Sequence, residues 1–406
     1  MEIRDVEPHI VSPPGSYTSV ANWVFVEVTT DDGTVGWGEC NWPEYRERTL
    51  VEALSELGEE FILGYDPFGV EALRERLQRS QHFLHVSDVV TAQIASAIEM
   101  ACWDIIGKTT GEPLYNLLGG RANERVRTYT YLHPKWEPPQ DPEKAAAAAE
   151  EYVEMGFTGL KLDPIHPIDG PRDVSTEMLD YAESVVAAIR EAVGEQCDII
   201  IGTHGQCYTQ AAIRLARRLE PHDPLWFEEP VSPENISEMA TVADATTIPV
   251  ATGERFTSIH QFAEVLDADA AQILQPNPGL VGILNAKKVA GMAESQYSQI
   301  APWMFCGPIA GAANIHLDAC TPNFIIQETV EDLGGFHSEI LLDSLDWEDG
   351  YITPPTDPGL GVEIDKSVLE EYPFEPLGSP SNRAHYSLEA NLRKMGVEDP
   401  SVERRE

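Results

Sequence analysis

The sequence predicts an α/β protein, a closed (β/α)8-type TIM barrel preceded by a separate α+β unit. Three observations carry this. From Val126 onward, short apolar runs alternate with amphipathic helical patterns, and repeated β–α units of this spacing imply a parallel sheet. Eight such strands with seven helices between them imply closure into a barrel. Before that point the rhythm differs: two adjacent strand patterns are followed by three helical ones. An open doubly wound sheet is the alternative, but no G-x-G-x-x-G follows the first strand, which counts against a dinucleotide fold.

Taking the elements in order, Trp23–Thr30 alternates apolar and polar residues, Asp31-Asp32-Gly33 reads as a turn, and Thr34–Glu39 returns as a second strand. Helical patterns cover Glu47–Leu57, Val70–Arg79 and the apolar Val89–Lys108, and Gly119-Gly120 ends the unit. Barrel strands are expected at Val126–Tyr131, Gly159–Asp163, Asp198–His204, Leu225–Glu229, Ile248–Gly253, Ala271–Gln275, Gln299–Trp303 and Phe324–Glu328. The helices between them are expected at Pro142–Met155, Met178–Val193, Thr209–Leu219, Asn235–Ala243, Ile259–Leu266, Gly282–Ser295 and Ile309–Ala319. This divides the chain into residues 1–125, 126–345 and 346–406. The last segment is rich in Pro, Gly and Asp, weakly helical at Leu388–Lys394, and expected to pack back on the first unit.

Hydrophobic residues make up 42% of the 406, enough for a large core. The 68 acidic residues outnumber the 27 basic ones, for a net charge of −41. That excess argues against a nucleic-acid partner, which needs clustered Lys and Arg. The acids are spread along the chain, as on the solvated surface of a halophilic protein whose self-repulsion is screened by salt. No run of about 18 apolar residues spans a membrane, and Met1–Ile10 has no apolar core of a signal peptide. Six scattered cysteines without a C-x-x-C pair read as reduced, buried thiols, and the expected location is cytoplasmic.

Barrel enzymes carry their chemistry at the C-terminal ends of the strands. The polar residues closing the strands are Lys161 and Asp163, Thr203 and His204, Glu228 and Glu229, Glu254 and Arg255, Gln275 and Asn277, Trp303, and Gln327 and Glu328. One Glu at a strand end is ordinarily a salt bridge or a helix cap. Two of them on neighbouring strands, Glu228 and Glu254, repel each other unless a cation lies between, and oxygen-liganded Mg²⁺ is the natural candidate.

Several stretches resemble the enolase superfamily, in its mandelate racemase and acid-sugar dehydratase branch. Ala97-Ile98-Glu99-Met100-Ala101-Cys102-Trp103-Asp104-Ile105-Ile106-Gly107-Lys108 with Pro113-Leu114-Tyr115-Asn116-Leu117-Leu118-Gly119-Gly120 is similar to the segment joining capping domain to barrel. Phe227-Glu228-Glu229-Pro230 and Thr252-Gly253-Glu254-Arg255 are similar to the fourth- and fifth-strand metal motifs, and Phe324-Ile325-Ile326-Gln327-Glu328 to the eighth-strand motif. The resemblance covers most of the chain. It implies a modified, enolase-like barrel with an N-terminal capping domain, one Mg²⁺ per chain held by Glu228 and Glu254, and a homo-oligomer, a dimer or a multiple of one. It also implies removal of the α-proton of a bound sugar-acid carboxylate to give an enediolate, then loss of the β-hydroxyl to leave a 2-keto-3-deoxy acid.

The departures from the family pattern are equally specific. Where the family has Asp-x-His on strand 3, with the Asp on the metal, this chain has Gly202-Thr203-His204. Where the branch pairs a strand-6 Asp with a strand-7 His as general base, it has Asn277 and Trp303, and an indole N–H only donates. Three compensations are open: His204 ligates the metal, Asp163 supplies the third carboxylate, or water or substrate fills the place. The base then falls to Lys161, its pKa lowered in a cavity near a metal, or to His204, with Glu328 completing the catalytic set. Lys161 has the competing reading of a salt bridge to the substrate or to Asp163. Substrate contacts are expected from Lys161, Asp163, Glu229, Asn277 and Trp303, and from Tyr17, Trp42, Tyr45, His82, His85 and His166 in the loops. A racemase, epimerase or cycloisomerase sharing the enediolate step, and a sugar-acid-binding barrel without turnover, are the alternatives.

Overall fold

The computed structural model describes residues 1–376 except 15–21, 42, 44, 45, 80–87, 134, 137 and 166–172. Its N-terminal unit is an antiparallel sheet of β1 (Ile3–Val11), β2 (Trp23–Thr30) and β3 (Val35–Cys40), in that order. The turn at Asp31-Asp32-Gly33 forms as expected, with Gly33 at φ 87°. β1 is an addition to the sequence reading. Ile3 and Val11 are buried while Arg4, Asp5 and Glu7 face solvent, so the charges of an exposed edge hide the strand pattern.

Three helices follow, α1 (Glu47–Leu57), α2 (Val70–Gln78) and α3 (Val89–Thr110). α3 starts where Asp88 accepts the Val90 and Thr91 N–H groups, and it stops at Gly111 in the left-handed region. By length and composition α3 is apolar enough to cross a membrane, but 83% of its most apolar window is buried inside the protein, as the core of this unit. β3 lies directly on it: a side chain at Gly36 or Gly38 would run into the carbonyl groups of Ala101 or Ala97.

The barrel strands are β4 (Val126–Tyr131), β5 (Gly159–Leu162), β6 (Asp198–Gly202), β7 (Trp226–Glu228), β8 (Val250–Thr252), β9 (Ile273–Leu274), β10 (Gln299–Ile300) and β11 (Gln327–Thr329). Each pairs in parallel with the next through β10. β11 returns to β4, and an Ile300–Phe324 bridge closes the ring. Among the described residues eight α-helices lie between the strands, the seven expected and a short one at Pro278–Val281, several with capped starts, such as Ser175 on the Met178 N–H and the Ser258–Gln261 capping box. Most strands are shorter than their apolar runs. Asp163, His204, Glu254 and Trp303 therefore lie just past the last paired residues, where the backbone turns outward.

Inside the ring, Tyr129, Ile200, Trp226, Ala251, Ile273, Ala301 and Ile326 form a buried plug. Gly159 completes this layer, since a methyl there would touch Ile326 at 2.9 Å and Tyr129 at 3.0 Å. Strand side chains return to the same face every second residue. The next layer, two residues further on each strand, is therefore Tyr131, Lys161, Gly202, Glu228, Gly253, Gln275, Trp303 and Glu328, and the plug is the floor of the mouth.

Past the barrel, β12 (Asp346–Glu348) and β13 (Tyr351–Thr353) form a hairpin that pairs with the start of β4. The chain then runs to the N-terminal sheet, where Pro373 bridges Val11, Glu363 accepts from Trp37 Nε1, and Lys366 pairs with Glu27. The N-terminal unit in turn reaches the barrel mouth. Glu39 accepts the Gly307 N–H at 2.6 Å and the Ala310 N–H at 2.9 Å, at the start of helix Pro308–Ala319. Burial pushes the Glu39 carboxyl up to about 7 against those donors. All six cysteines are buried and free.

Candidate active site

Glu228, the last residue of β7, is the hub of the mouth. Its Oε1 pairs with Lys161 Nζ, and its Oε2 accepts from Gln275 Nε2 at 2.7 Å and Trp226 Nε1 at 3.1 Å. Lys161 also lies 3.5 Å from Glu328 Oε1, while Glu328 Oε2 accepts the Met304 N–H at 3.1 Å. All of these side chains are buried. Burial opposes a charge on Lys161, but Glu228 and Glu328 outweigh it and hold the ammonium well above its ordinary pKa. The expected lowering is thus reversed, because the carboxylates of β7 and β11 converge on this one amine. The same pairing lowers Glu228 despite its burial, whereas burial raises Glu328.

His204 follows β6 with φ 49°, a left-handed conformation that Gly205 continues. Its Nδ1 lies 2.6 Å from Asp163 Oδ2, and its Nε2 lies 3.4 Å from the Tyr131 hydroxyl. The Tyr131 ring stacks on the imidazole and carries Lys161 Nζ over its face. The His204 side chain keeps 39% exposure while Asp163 keeps 7%, so the imidazole is the group presented to the mouth. Burial disfavours its protonation, but the charge and hydrogen bond of Asp163 prevail and raise its pKa.

Glu254 lies beyond β8, with Oε1 2.8 Å from Arg255, which also pairs with Glu229. Burial and the charge of Glu228 push the Glu254 carboxyl up to about 8. Glu254 Oε2 and Glu328 Oε1 are buried without a hydrogen-bond partner. Glu254 and Glu328, both raised and each with an open oxygen, have room for a further cation beside Lys161, and an all-oxygen donor set suits Mg²⁺. The residues fit such an ion, with Glu228 and Glu254 as holders. Among the described residues, the His/carboxylate trio whose ligand atoms close within 4.8 Å is elsewhere, at Glu7, His9 and Glu27. There Glu27 is already met by His9 and Lys366.

The opposite side of the mouth is built otherwise. Asn277 Oδ1 accepts from Asn41 Nδ2 at 2.8 Å and from the Gly279 N–H at 2.9 Å, and its Nδ2 donates to the Glu254 carbonyl. The Asn41 contact ties the barrel to the N-terminal unit, while the Gly279 and Glu254 contacts lie within the barrel. Trp303 is half-buried against the core cluster of Met304 and Ile309. Glu229 is buried under Arg255. Tyr17, Trp42, Tyr45, His82, His85 and His166 lie outside the described residues. Sequence reading assigned no role to Tyr131, Gln275 or Arg255. For Tyr131 and Gln275 the signal was available, since each stands two residues beyond a plug residue.

Residues 4–119 match the family model for the mandelate racemase / muconate lactonizing enzyme N-terminal domain, and residues 144–368 match the enolase C-terminal domain-like model. The chain is 36% identical over 366 residues to D-galactonate dehydratase of Ralstonia nicotianae, covering 88% of this chain and 92% of that one. It is 32% identical over 381 residues to D-gluconate dehydratase of Thermoproteus tenax, covering 93% and 75%. A solved mandelate racemase/muconate lactonizing enzyme from Sulfitobacter sp. superposes with a TM-score of 0.87 at 40% identity, covering 93% and 97%.

Proposed function

The chain belongs to the mandelate racemase / muconate lactonizing enzyme family of the enolase superfamily, and from that premise we propose that it is a magnesium-dependent dehydratase of aldonates or aldarates, a lyase. The observation that carries this reading is the buried Glu228–Lys161–Glu328 cluster with Glu254 beside it, opening onto an exposed imidazole. Relatives named D-galactonate and D-gluconate dehydratase support the substrate class. When bound, Mg²⁺ supplies the positive charge that a substrate carboxylate needs as its α-proton leaves.

The protein's own groups do the rest. His204 Nε2 takes the α-proton as neutral imidazole, while Asp163 holds Nδ1–H and steadies the imidazolium. The same imidazolium then returns the proton to the departing β-hydroxyl, which leaves as water. Lys161, held charged, acts as a fixed cation and not as a base. Tyr131 orients the imidazole face. With Asn277 and Trp303 on the far side, proton transfer is confined to one face. That favours elimination over two-base racemisation. We further propose that the −41 net charge suits a salt-rich cytoplasm.

The test is to incubate the protein in high KCl with Mg²⁺ and a panel of C5 and C6 aldonates and aldarates, and to assay 2-keto-3-deoxy acids. One strong substrate, with turnover abolished by Glu254→Gln, is the expected result. Exchange of the α-hydrogen with deuterium without keto acid would indicate an epimerase. Tight binding without either would indicate a binding protein.

A further inference from the structure

We propose that Asp163, just past the end of β5, has taken over the metal-ligand position that Gly202 leaves empty on β6. The inference rests on the magnesium reading above and concerns which residue completes that site. Gly202 pairs in register with Glu228 across β6 and β7. Residues paired across parallel strands share a face, so a side chain at 202 would enter the layer of Glu228. That space is not vacant. A Cβ built on Gly202 would lie 2.6 Å from Asp163 Oδ1, with Lys161 Cε at 3.3 Å and the Tyr131 hydroxyl at 3.4 Å. The carboxylate that follows β5 already stands where a carboxylate at position 202 of β6 would begin.

One further contact sets the orientation. Asp163 Oδ2 is held 2.6 Å from His204 Nδ1, which turns Oδ1 toward Gly202 and the Glu228 layer. Glu254 Oε2 is buried without a hydrogen-bond partner. His204 is the rival ligand. Its Nδ1 is engaged by Asp163 and its Nε2 faces Tyr131, so the imidazole is left to move protons. Asp163 thus does two jobs, one oxygen on the imidazole and the other on the cation. Glycine at 202 is required by this arrangement, because any larger residue would displace Oδ1.

The probe is Mn²⁺, followed by the electron paramagnetic resonance signal of the free ion, with calorimetric Mg²⁺ titration alongside, on the full chain in high KCl. Wild type is expected to bind one ion. Asp163→Ala and the shape-conserving Asp163→Asn are expected to weaken binding by at least about tenfold. The double variant Asp163→Ala/Gly202→Asp, which returns a carboxylate to β6, is expected to recover affinity to within a few-fold of wild type. A purely structural role for Asp163 would not be rescued from position 202. Near-wild-type affinity in both single variants, or no recovery in a double variant with native circular dichroism, overturns the proposal while leaving the magnesium reading intact. Failure of wild type to bind Mn²⁺ or Mg²⁺ at all overturns that reading and this one together.

Discussion

The two halves of the barrel mouth differ in kind. On the β4–β6 side, Lys161, Asp163, His204 and Tyr131 are titratable and mutually linked, with the His204 imidazole open to solvent. On the β9–β10 side, Asn277 and Trp303 do not titrate near neutral pH, and Asn277 is spent on fixing the N-terminal unit to the barrel. Both sides stand above the same plug. One fold therefore supplies equivalent positions around a ring, and the residue types decide which arc does chemistry and which holds the lid in place.

The comparison is open to attack at several points. The largest effect is expected from His204→Asn, which should lower turnover by about 10³-fold with little change in Tm, because it removes the exposed imidazole that the proposed mechanism uses as acid and base. A loss under tenfold would move the chemistry off this side. Next comes Lys161→Met. With a chelator present, thermal unfolding should reveal a loss of about 3–5 kcal/mol, since Glu228 and Glu328 would be left buried and uncompensated. An unchanged Tm would mean that the carboxylates carry protons instead.

Changes on the other arc should be milder. Asn277→Asp loses the donor to the Glu254 carbonyl, at about 1 kcal/mol, and Asn277→Asp with Trp303→His should not increase turnover. A gain would reveal a latent base on that side. The last test concerns the seam at Glu39, away from both arcs. Its carboxyl titrates near 7 in the folded state against 4.5 as the ordinary value. The native state then binds more protons than the unfolded chain, so this group's contribution falls as pH rises from 4.5 through 7. Glu39→Gln removes that dependence. Denaturant midpoints of the two proteins, compared across this window, should diverge most at its upper end.

Much of this was legible in the sequence, for local reasons. Apolar runs separated by amphipathic helices mark the eight strands, and polar residues at their ends mark Lys161, Asp163, His204, Glu228, Glu254 and Glu328. β1 was not legible, because an edge strand with charges on its open face lacks the alternation of a half-buried one. The Asn277 contact across the two units was not legible either, because a polar residue at a strand end looks the same whether it faces a substrate or a neighbouring loop. Its partner Asn41 is 236 residues away in the chain.

What the sequence by itself determined is the ring of β–α units, the family, and the chemical types at the strand ends. All of these follow from periodicity and from motifs a few residues long. Only the tertiary structure decided the charge of Lys161 and the position of the Asp163 carboxylate. The amine is flanked by acids from β7 and β11, which outweigh the desolvation that would neutralise it. The carboxylate reaches across to the space above Gly202 because β5 and β6 are neighbours. Both outcomes are sums of interactions between strands far apart in the chain. No local pattern encodes such a sum, because an electrostatic balance depends on distances that exist only once the barrel closes.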